Sequence, residues 1–108
     1  MALEITPREL AKQLENGQPI RLIDVRQVWE NQLAKLPDSL FIPLNELPTR
    51  AAEIPPEPAT LIVIYCHHGV RSMSAADYLY RLGHFNVRSL AGGIDAWSCE
   101  VDPTVQRY

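Results

Sequence analysis

The chain has 108 residues, of which 46% are hydrophobic and 21% charged, and this balance is typical of one globular domain. Its formal net charge of −3 argues against a nucleic-acid partner, which needs a basic face. Two cysteines are too few for a disulfide scaffold, no apolar run could span a membrane, and MALEITPREL lacks the layout of a signal peptide. We therefore expect a single cytoplasmic domain over residues 1–108, monomeric and with no membrane partner.

The first predicted helix follows a clear start signal. Thr6 can cap it, Pro7 suits its first turn, and Glu9 completes a capping box. The pair Asn16-Gly17 ends it. The next segment, IRLIDV at 20–25, is apolar enough to predict a strand buried on both faces.

The middle of the chain has weaker signals. Residues 28–36 predict a short helix or a loop, and residues 40–42 (LFI) predict a second strand, which Pro43 closes. Asn45 is expected to cap a helix on whose apolar face Leu47, Ala51 and Ile54 lie. The sequence PPEP at 55–58 is expected to stop that helix.

The second half has the clearest pattern. Residues 61–65 (LIVIY) form a continuous β-rich run, and a helical period begins at Ser72 and stops at Gly83. Residues 87–90 predict a last strand, and Ile94 to Trp97 begin a final helix after the Gly92-Gly93 turn. Strands that alternate with helices predict an α/β fold with a mainly parallel sheet. Ligands of such sheets bind beyond the carboxyl ends of the strands, where Cys66 lies.

The loop CHHGVRS between the strand and the helix can bind an anion. If it wraps into a ring around Cys66, its backbone N–H groups point inward, helped by the positive end of the following helix and by a positive φ at Gly69. Such a ring would favour the thiolate, which is the useful nucleophile. Arg71 adds a permanent charge and a planar fork for an anionic substrate. A zinc site, a disulfide, a phosphatase loop, a sulfur carrier and plain packing of a buried cysteine all remain possible explanations of this pattern.

Three motifs carry a resemblance to a known family. The loop CHHGVRS, the earlier IDVR at 23–26 and the later LAGGIDAW at 90–97 resemble the rhodanese family of sulfurtransferases in its single-domain form. The tail AWSCEVDPTVQRY is also similar to the end of rhodanese domains fused to adenylyltransferases of molybdopterin-type cofactor synthesis. The motifs stand in the order typical of the family, and they extend over nearly the whole chain.

The resemblance implies a fold and a two-step reaction. It implies a five-stranded, mostly parallel sheet with helices on both faces. Cys66 would take the outer sulfur of a donor such as thiosulfate, and a thiol, cyanide or a protein cysteine would then remove it. The loop residues His67, His68, Gly69, Val70 and Arg71 would surround the persulfide, and Arg71 would guide an anionic donor. We expect no cofactor, and a protein sulfur donor or acceptor is a further expected partner.

Other residues are expected to support the loop. The resemblance implies that Asp24 and Arg26 brace the loop from behind, but an ordinary ion pair at a strand end is an equal alternative. The resemblance also implies that Ser72 is a supporting residue. Gly92 and Gly93 would let a turn approach the loop closely, and Trp97 would pack beneath it. Adjacent histidines have poor geometry for one tetrahedral zinc, so we expect no metal site. Cys99 has no comparable surroundings and is expected to be inert.

One segment departs from the family pattern, and two other functions compete. Where many members have Gly-His-Ile-Pro-Gly-Ala, this chain has LAKLPDSLFIPL, which leaves the local backbone and partner choice open. Cysteine phosphatases that can share the fold have five residues between cysteine and arginine, whereas Cys66 and Arg71 are separated by four, which favours sulfur over a tetrahedral phosphate. A non-catalytic binding or sensor domain is the third alternative; such domains often lack the cysteine.

Overall fold

A five-stranded sheet forms the centre of the molecule. The computed structural model describes residues 2–54 and 56–108. The strands are β1 (Leu3–Ile5), β2 (Ile20–Asp24), β3 (Leu40–Phe41), β4 (Leu61–Tyr65) and β5 (Val87–Leu90). They lie in the order β1-β5-β4-β2-β3, and each neighbouring pair is parallel. The expected α/β class is confirmed, with a sheet that is parallel throughout.

In the described residues, four α-helices connect these strands and a fifth follows β5. They are α1 (Pro7–Glu15), α2 (Val28–Leu33), α3 (Leu47–Arg50), α4 (Val70–Arg81) and α5 (Gly93–Glu100). Successive side chains of β4 point to opposite faces of the sheet, as the two-residue period requires. Ile62 and Ile64 belong to one buried cluster, with Ala76 and Leu79 of α4. Val63 and Tyr65 belong to a second cluster, whose helical members are Leu10 of α1 and Ile94 and Trp97 of α5. The helices therefore cover both faces.

The predicted start of α1 is confirmed in detail. The hydroxyl of Thr6 accepts a hydrogen bond from the backbone N–H of Glu9 at 3.1 Å, and the Glu9 carboxylate accepts one from the Thr6 N–H at 2.9 Å. This reciprocal pair satisfies two N–H groups that the helix itself leaves free. The four predicted strands also form, within one residue of the expected ends.

The structure corrects the prediction in two segments. β1 was not predicted, because three residues of which two are exposed give no readable period. Asn45 does not cap a helix: it lies inside a 3-10 turn, Leu44–Glu46, and α3 begins only at Leu47. Pro48 has no N–H to donate back to Leu44, so a continuous α-helix cannot run through this segment.

The segment after α3 ends in a second 3-10 turn, Ala51–Glu53. Of the predicted stop at residues 55–58, Pro55 lies outside the described residues. In the described part of the chain, the helices are too short or too polar to cross a membrane.

Candidate active site

Cys66 lies where the central strand of the sheet ends. It follows β4 directly, between the carboxyl ends of β2 and β5, and only 1% of its surface is exposed. The loop then turns into α4 at Gly69, whose φ of +105° is in the left-handed region. Helix α4 begins at Val70, two residues earlier than the predicted start at Ser72. With this early start, Ser72 lies in the first turn of the helix and its N–H reaches the thiol.

Two backbone N–H groups and one hydroxyl surround the thiol. The Gly69 N–H donates to Cys66 Sγ at 3.1 Å and the Ser72 N–H does so at 3.4 Å. The Ser72 hydroxyl lies 3.5 Å from the same sulfur, donates to the Gly69 carbonyl at 3.2 Å, and is 2.7 Å from the Ser89 hydroxyl of β5. Ser72 thus lies beside the sulfur, as expected of a supporting residue. Fixed N–H dipoles of this kind stabilise negative charge on sulfur.

The first turn of α5 holds the loop from behind. The N–H groups of Ile94 and Asp95 donate to the carbonyls of Cys66 and His67, at 2.9 and 3.2 Å. A Cβ built on Gly93 would lie 2.5 Å from the Cys66 carbonyl oxygen and 2.4 Å from that of His67. The predicted close approach of the glycine turn is therefore confirmed. Trp97 packs in the core on this side with 8% of its surface exposed, also as predicted.

Arg71 is bound by an acidic residue that the sequence did not single out. Its guanidinium donates to both carboxylate oxygens of Glu30 in α2, at 2.7 and 2.9 Å. The Glu30 side chain is only 4% exposed, whereas that of Arg71 is 35% exposed. Arg71 holds the pKa of Glu30 down to about 2, with help from the Tyr108 hydroxyl and the Gln27 N–H. The planar fork expected to face a substrate is thus directed at Glu30.

Asp24 and Arg26 form a fully buried ion pair. The Arg26 guanidinium donates to both Asp24 oxygens at 2.9 and 2.8 Å, and both side chains have no exposed surface. Arg26 also donates to the Tyr108 hydroxyl at 2.9 Å, and that hydroxyl donates to Glu30 at 2.7 Å. A chain of hydrogen bonds therefore runs from this pair through Tyr108 to Glu30 and Arg71.

The remaining predicted loop residues lie at the rim. The His67 ring stacks on the Tyr108 ring, with centroids 3.9 Å apart and planes 9° from parallel. The Nδ1 atom of His68 lies 3.9 Å from Oδ2 of Asp95. Val70 is 79% exposed. Among the residues that the structure describes, no three His, Cys, Asp or Glu side chains are grouped as a metal site would require. Cys99 is an exposed free thiol.

An open cleft of about 680 Å³ adjoins the loop at Arg71. Its walls come from the segment after β2 and from the segment after β3, and its residues are Val25, Arg26, Gln27, Val28, Pro43, Leu44, Asn45, Glu46 and Arg71. The segment that departs from the family pattern thus leads directly into one wall of this cleft. Of the loop residues from Cys66 to Ser72, Arg71 lines this cleft.

Three residues of the site were missed from the sequence. Ser89 carried a readable signal, since a hydroxyl in an otherwise apolar buried strand must find a partner. Glu30 lies in a short segment whose helical character was left open, and Tyr108 is far from the loop along the chain. No local pattern connects either of them with Arg71.

Comparisons with known proteins agree with this geometry. The sequence profile of the Rhodanese-like domain family matches residues 6–100. A protein named "Sulfurtransferase" from Allochromatium vinosum is 37% identical over 98 residues, which cover 91% of this chain and 90% of that protein. The maize "Adenylyltransferase and sulfurtransferase MOCS3-2" is 33% identical over 96% of this chain, which spans only 23% of the maize protein.

A solved structure gives the same result at the level of the fold. The rhodanese-related protein from Thermoplasma volcanium superposes with a TM-score of 0.82 at 26% identity, over 98% of this chain and 99% of that one. The parallel α/β fold, with a buried cysteine in an N–H-lined loop at a strand end, agrees with the match to the Rhodanese-like domain family. The chain belongs to the rhodanese family, and its relatives support sulfurtransferase activity as its general function.

Proposed function

We propose that this protein moves a sulfane sulfur from thiosulfate or a thiol persulfide to a thiol, cyanide or protein acceptor, through a persulfide on Cys66. One observation carries the proposal: the N–H groups of Gly69 and Ser72 lie within 3.4 Å of Cys66 Sγ. The loop that holds them has four residues between Cys66 and Arg71. These donors favour the thiolate before attack, and they stabilise charge that spreads onto the sulfur atoms during transfer.

Transfer proceeds by two displacements at sulfur. The Cys66 thiolate attacks the outer sulfur of thiosulfate, a sulfur–sulfur bond forms to Cys66, and the donor's sulfur–sulfur bond breaks with its electron pair leaving on sulfite. An acceptor thiolate then attacks the terminal sulfur, and the Cys66 thiolate is released. The second displacement repeats the first with the roles exchanged, so one set of N–H groups serves both steps.

The proposed setting is the cytosol, where a thiol such as that of Cys66 stays reduced between turnovers. The acceptor reaches the loop over the rim formed by His67, His68 and Val70. A protein acceptor or donor fits this arrangement as well as a small molecule, because the exposed Val70 offers an apolar contact beside the nucleophile.

Mass spectrometry of the intact protein tests the proposal. Incubation with thiosulfate or with a small persulfide should add one sulfur atom, and cyanide should remove it as thiocyanate. The same preparation should leave an aryl phosphate intact, because a ring with four residues between cysteine and arginine is too small for a tetrahedral phosphoryl group. Efficient phosphate hydrolysis without a detectable sulfur adduct would show instead that the site serves a phosphatase.

A further inference from the structure

We propose that Glu30 is a specificity-determining residue: by neutralising Arg71 it biases the site away from thiosulfate and toward a persulfide carried on an uncharged thiol. This inference rests on the proposed function and names which of its two donor classes the site prefers. Three observations carry it: the Glu30–Arg71 geometry, the pairing of the other charges around the cleft, and the charge balance of the reaction.

The Glu30 carboxylate is held too firmly to release Arg71. Besides the two bonds from Arg71, it accepts the Gln27 N–H at 3.1 Å and the Tyr108 hydroxyl at 2.7 Å. If the Arg71 fork turned to a free anion, it would leave a 4% exposed carboxylate without its counter-ion, which is strongly unfavourable. Arg71 therefore presents to a substrate a guanidinium whose charge is already balanced.

The other charges that line the cleft are paired in the same way. Arg26 is bound to Asp24, and Glu46 is bound to Arg50 at 3.1 Å. The rest of the lining is neutral, with Val25, Val28, Pro43 and Leu44 supplying apolar surface. With a formal net charge of −3 for the whole chain, the approach to Cys66 has no long-range attraction for a dianion.

The charge balance of the first step separates the two donors. A Cys66 thiolate that meets thiosulfate gathers three negative charges, which end as a charged persulfide and sulfite dianion. The same thiolate attacking a persulfide gathers one charge when the persulfide is protonated and two when it is ionised: a bond forms from Cys66 to the outer sulfur, the donor's sulfur–sulfur bond breaks, and a thiolate leaves. With Arg71 neutralised, the N–H groups of Gly69 and Ser72 stabilise this smaller charge better than the three charges gathered with thiosulfate.

The test compares two donors at two ionic strengths. Sulfur loading of the wild-type protein is followed with thiosulfate and with the persulfide of 2-mercaptoethanol, an uncharged thiol, at pH 8 and at about 20 and 200 mM NaCl. Because the two arginines that line the cleft, Arg26 and Arg71, are each paired with a carboxylate, kcat/KM for thiosulfate should not fall as salt rises. A steep fall for thiosulfate alone would show that Arg71 acts as an unpaired charge, and would overturn the proposal without any variant.

Glu30→Gln should shift donor preference. With the charge of Arg71 released, kcat/KM for thiosulfate should rise about tenfold at low salt, and this gain should fade at high salt. The kcat/KM for the persulfide of 2-mercaptoethanol should change much less. Glu30→Asp keeps the carboxylate and should keep the weak salt dependence of the wild type.

Glu53→Gln is the matched control. It makes the same change in net charge and also removes a carboxylate from an arginine, Arg50, but Glu53 does not line the cleft. It should leave kcat/KM unchanged for both donors. If Glu30→Gln leaves the ratio of kcat/KM for the two donors unchanged, the inference about Glu30 is overturned but the proposed function is not. Failure of both donors to load Cys66 in the wild type would overturn the proposed function itself.

Discussion

At the scale of single residues, the two cysteines differ in the surroundings that we expect to set their reactivity. Cys66 is 1% exposed and accepts hydrogen bonds from two backbone N–H groups, whereas Cys99 is exposed on α5. Exposure alone would favour Cys99 as the reactive thiol. Oriented N–H dipoles favour Cys66, because the nucleophile is the thiolate and these dipoles stabilise it.

We expect opposite results when each of the two cysteines is replaced by serine. Cys66→Ser should abolish sulfur transfer, and it should leave the fold intact because serine fills nearly the same volume. Cys99→Ser should keep most of the activity. Steady-state assays with thiosulfate and cyanide, together with circular dichroism, check both variants, and a reversal of the two results would contradict the assignment of the nucleophile.

Glu30 should make stability depend on pH in the acid range. Its pKa of about 2 in the folded protein lies below the ordinary value of 4.5, so its ion pair stabilises the fold fully above that value. This contribution, about 3 kcal/mol from the size of the shift, is lost as the pH falls from 4.5 through 2. Urea unfolding of the wild type and Glu30→Gln should therefore differ most near neutral pH and progressively less in acid. A difference that is independent of pH would contradict the role of the charge.

At the scale of elements, the site is assembled by the meeting of two turns. The β4–α4 loop presents Cys66, and the glycine-led first turn of α5 supports that loop through N–H bonds to the carbonyls of Cys66 and His67. A loop that is held by neighbouring backbone keeps its N–H groups oriented before the substrate arrives, which is the condition for electrostatic stabilisation of a transition state.

Substitutions at two glycines distinguish the loss of this support from the cost of backbone strain alone. Gly93 and Gly83 both have a positive φ, +64° and +105°, but a Cβ on Gly83 would meet nothing within 4 Å, whereas one on Gly93 would overlap the loop carbonyls. Gly83→Ala should cost about 1–2 kcal/mol of unfolding free energy and keep activity. Gly93→Ala should cost more and also lower kcat strongly, because the loop must move. Urea unfolding and sulfur-transfer kinetics measure the two effects, and equal behaviour of the variants would contradict the supporting role of the turn.

At the scale of the whole molecule, buried polar groups connect distant parts of the chain to the site. Asp24 at the end of β2, Glu30 in α2, Arg71 in α4 and Tyr108 near the end of the sequence share one hydrogen-bonded network. Burial raises the pKa of Tyr108 to about 12, so its hydroxyl stays a donor throughout the neutral range. The network stabilises one arrangement of these elements because each buried charge needs its particular partner.

The buried ion pair should therefore be essential for stability. Asp24→Asn leaves the Arg26 guanidinium without a counter-ion at a site that has no exposed surface. We expect a loss of about 3–5 kcal/mol in the free energy of unfolding, measured with urea. Glu53→Gln also deprives an arginine of a carboxylate, but at an exposed pair, and should change stability little. Equal losses for the two variants would show that burial does not set the energy of the Asp24 pair.

The features that depend on local chemistry could be predicted from the amino-acid sequence. The capping box of α1, four of the five strands and the placement of Cys66 at a strand end follow from periodicity, capping residues and turn residues, which act over a few neighbours. The weak points were also local: β1 is too short to show a period, and Pro48 interrupts the helix expected after Asn45.

The electrostatics of the site depend on residues that come together in the folded protein. Glu30 is separated from Arg71 by 41 positions and Tyr108 from Arg26 by 82, so no pattern along the chain brings them together. They meet because parallel strands bring their carboxyl ends, and the segments that follow, to one edge of the sheet. The sequence therefore indicates a cation in the same loop as Cys66, but folding determines that this cation is paired with Glu30, because Coulomb energies depend on distance and burial in space.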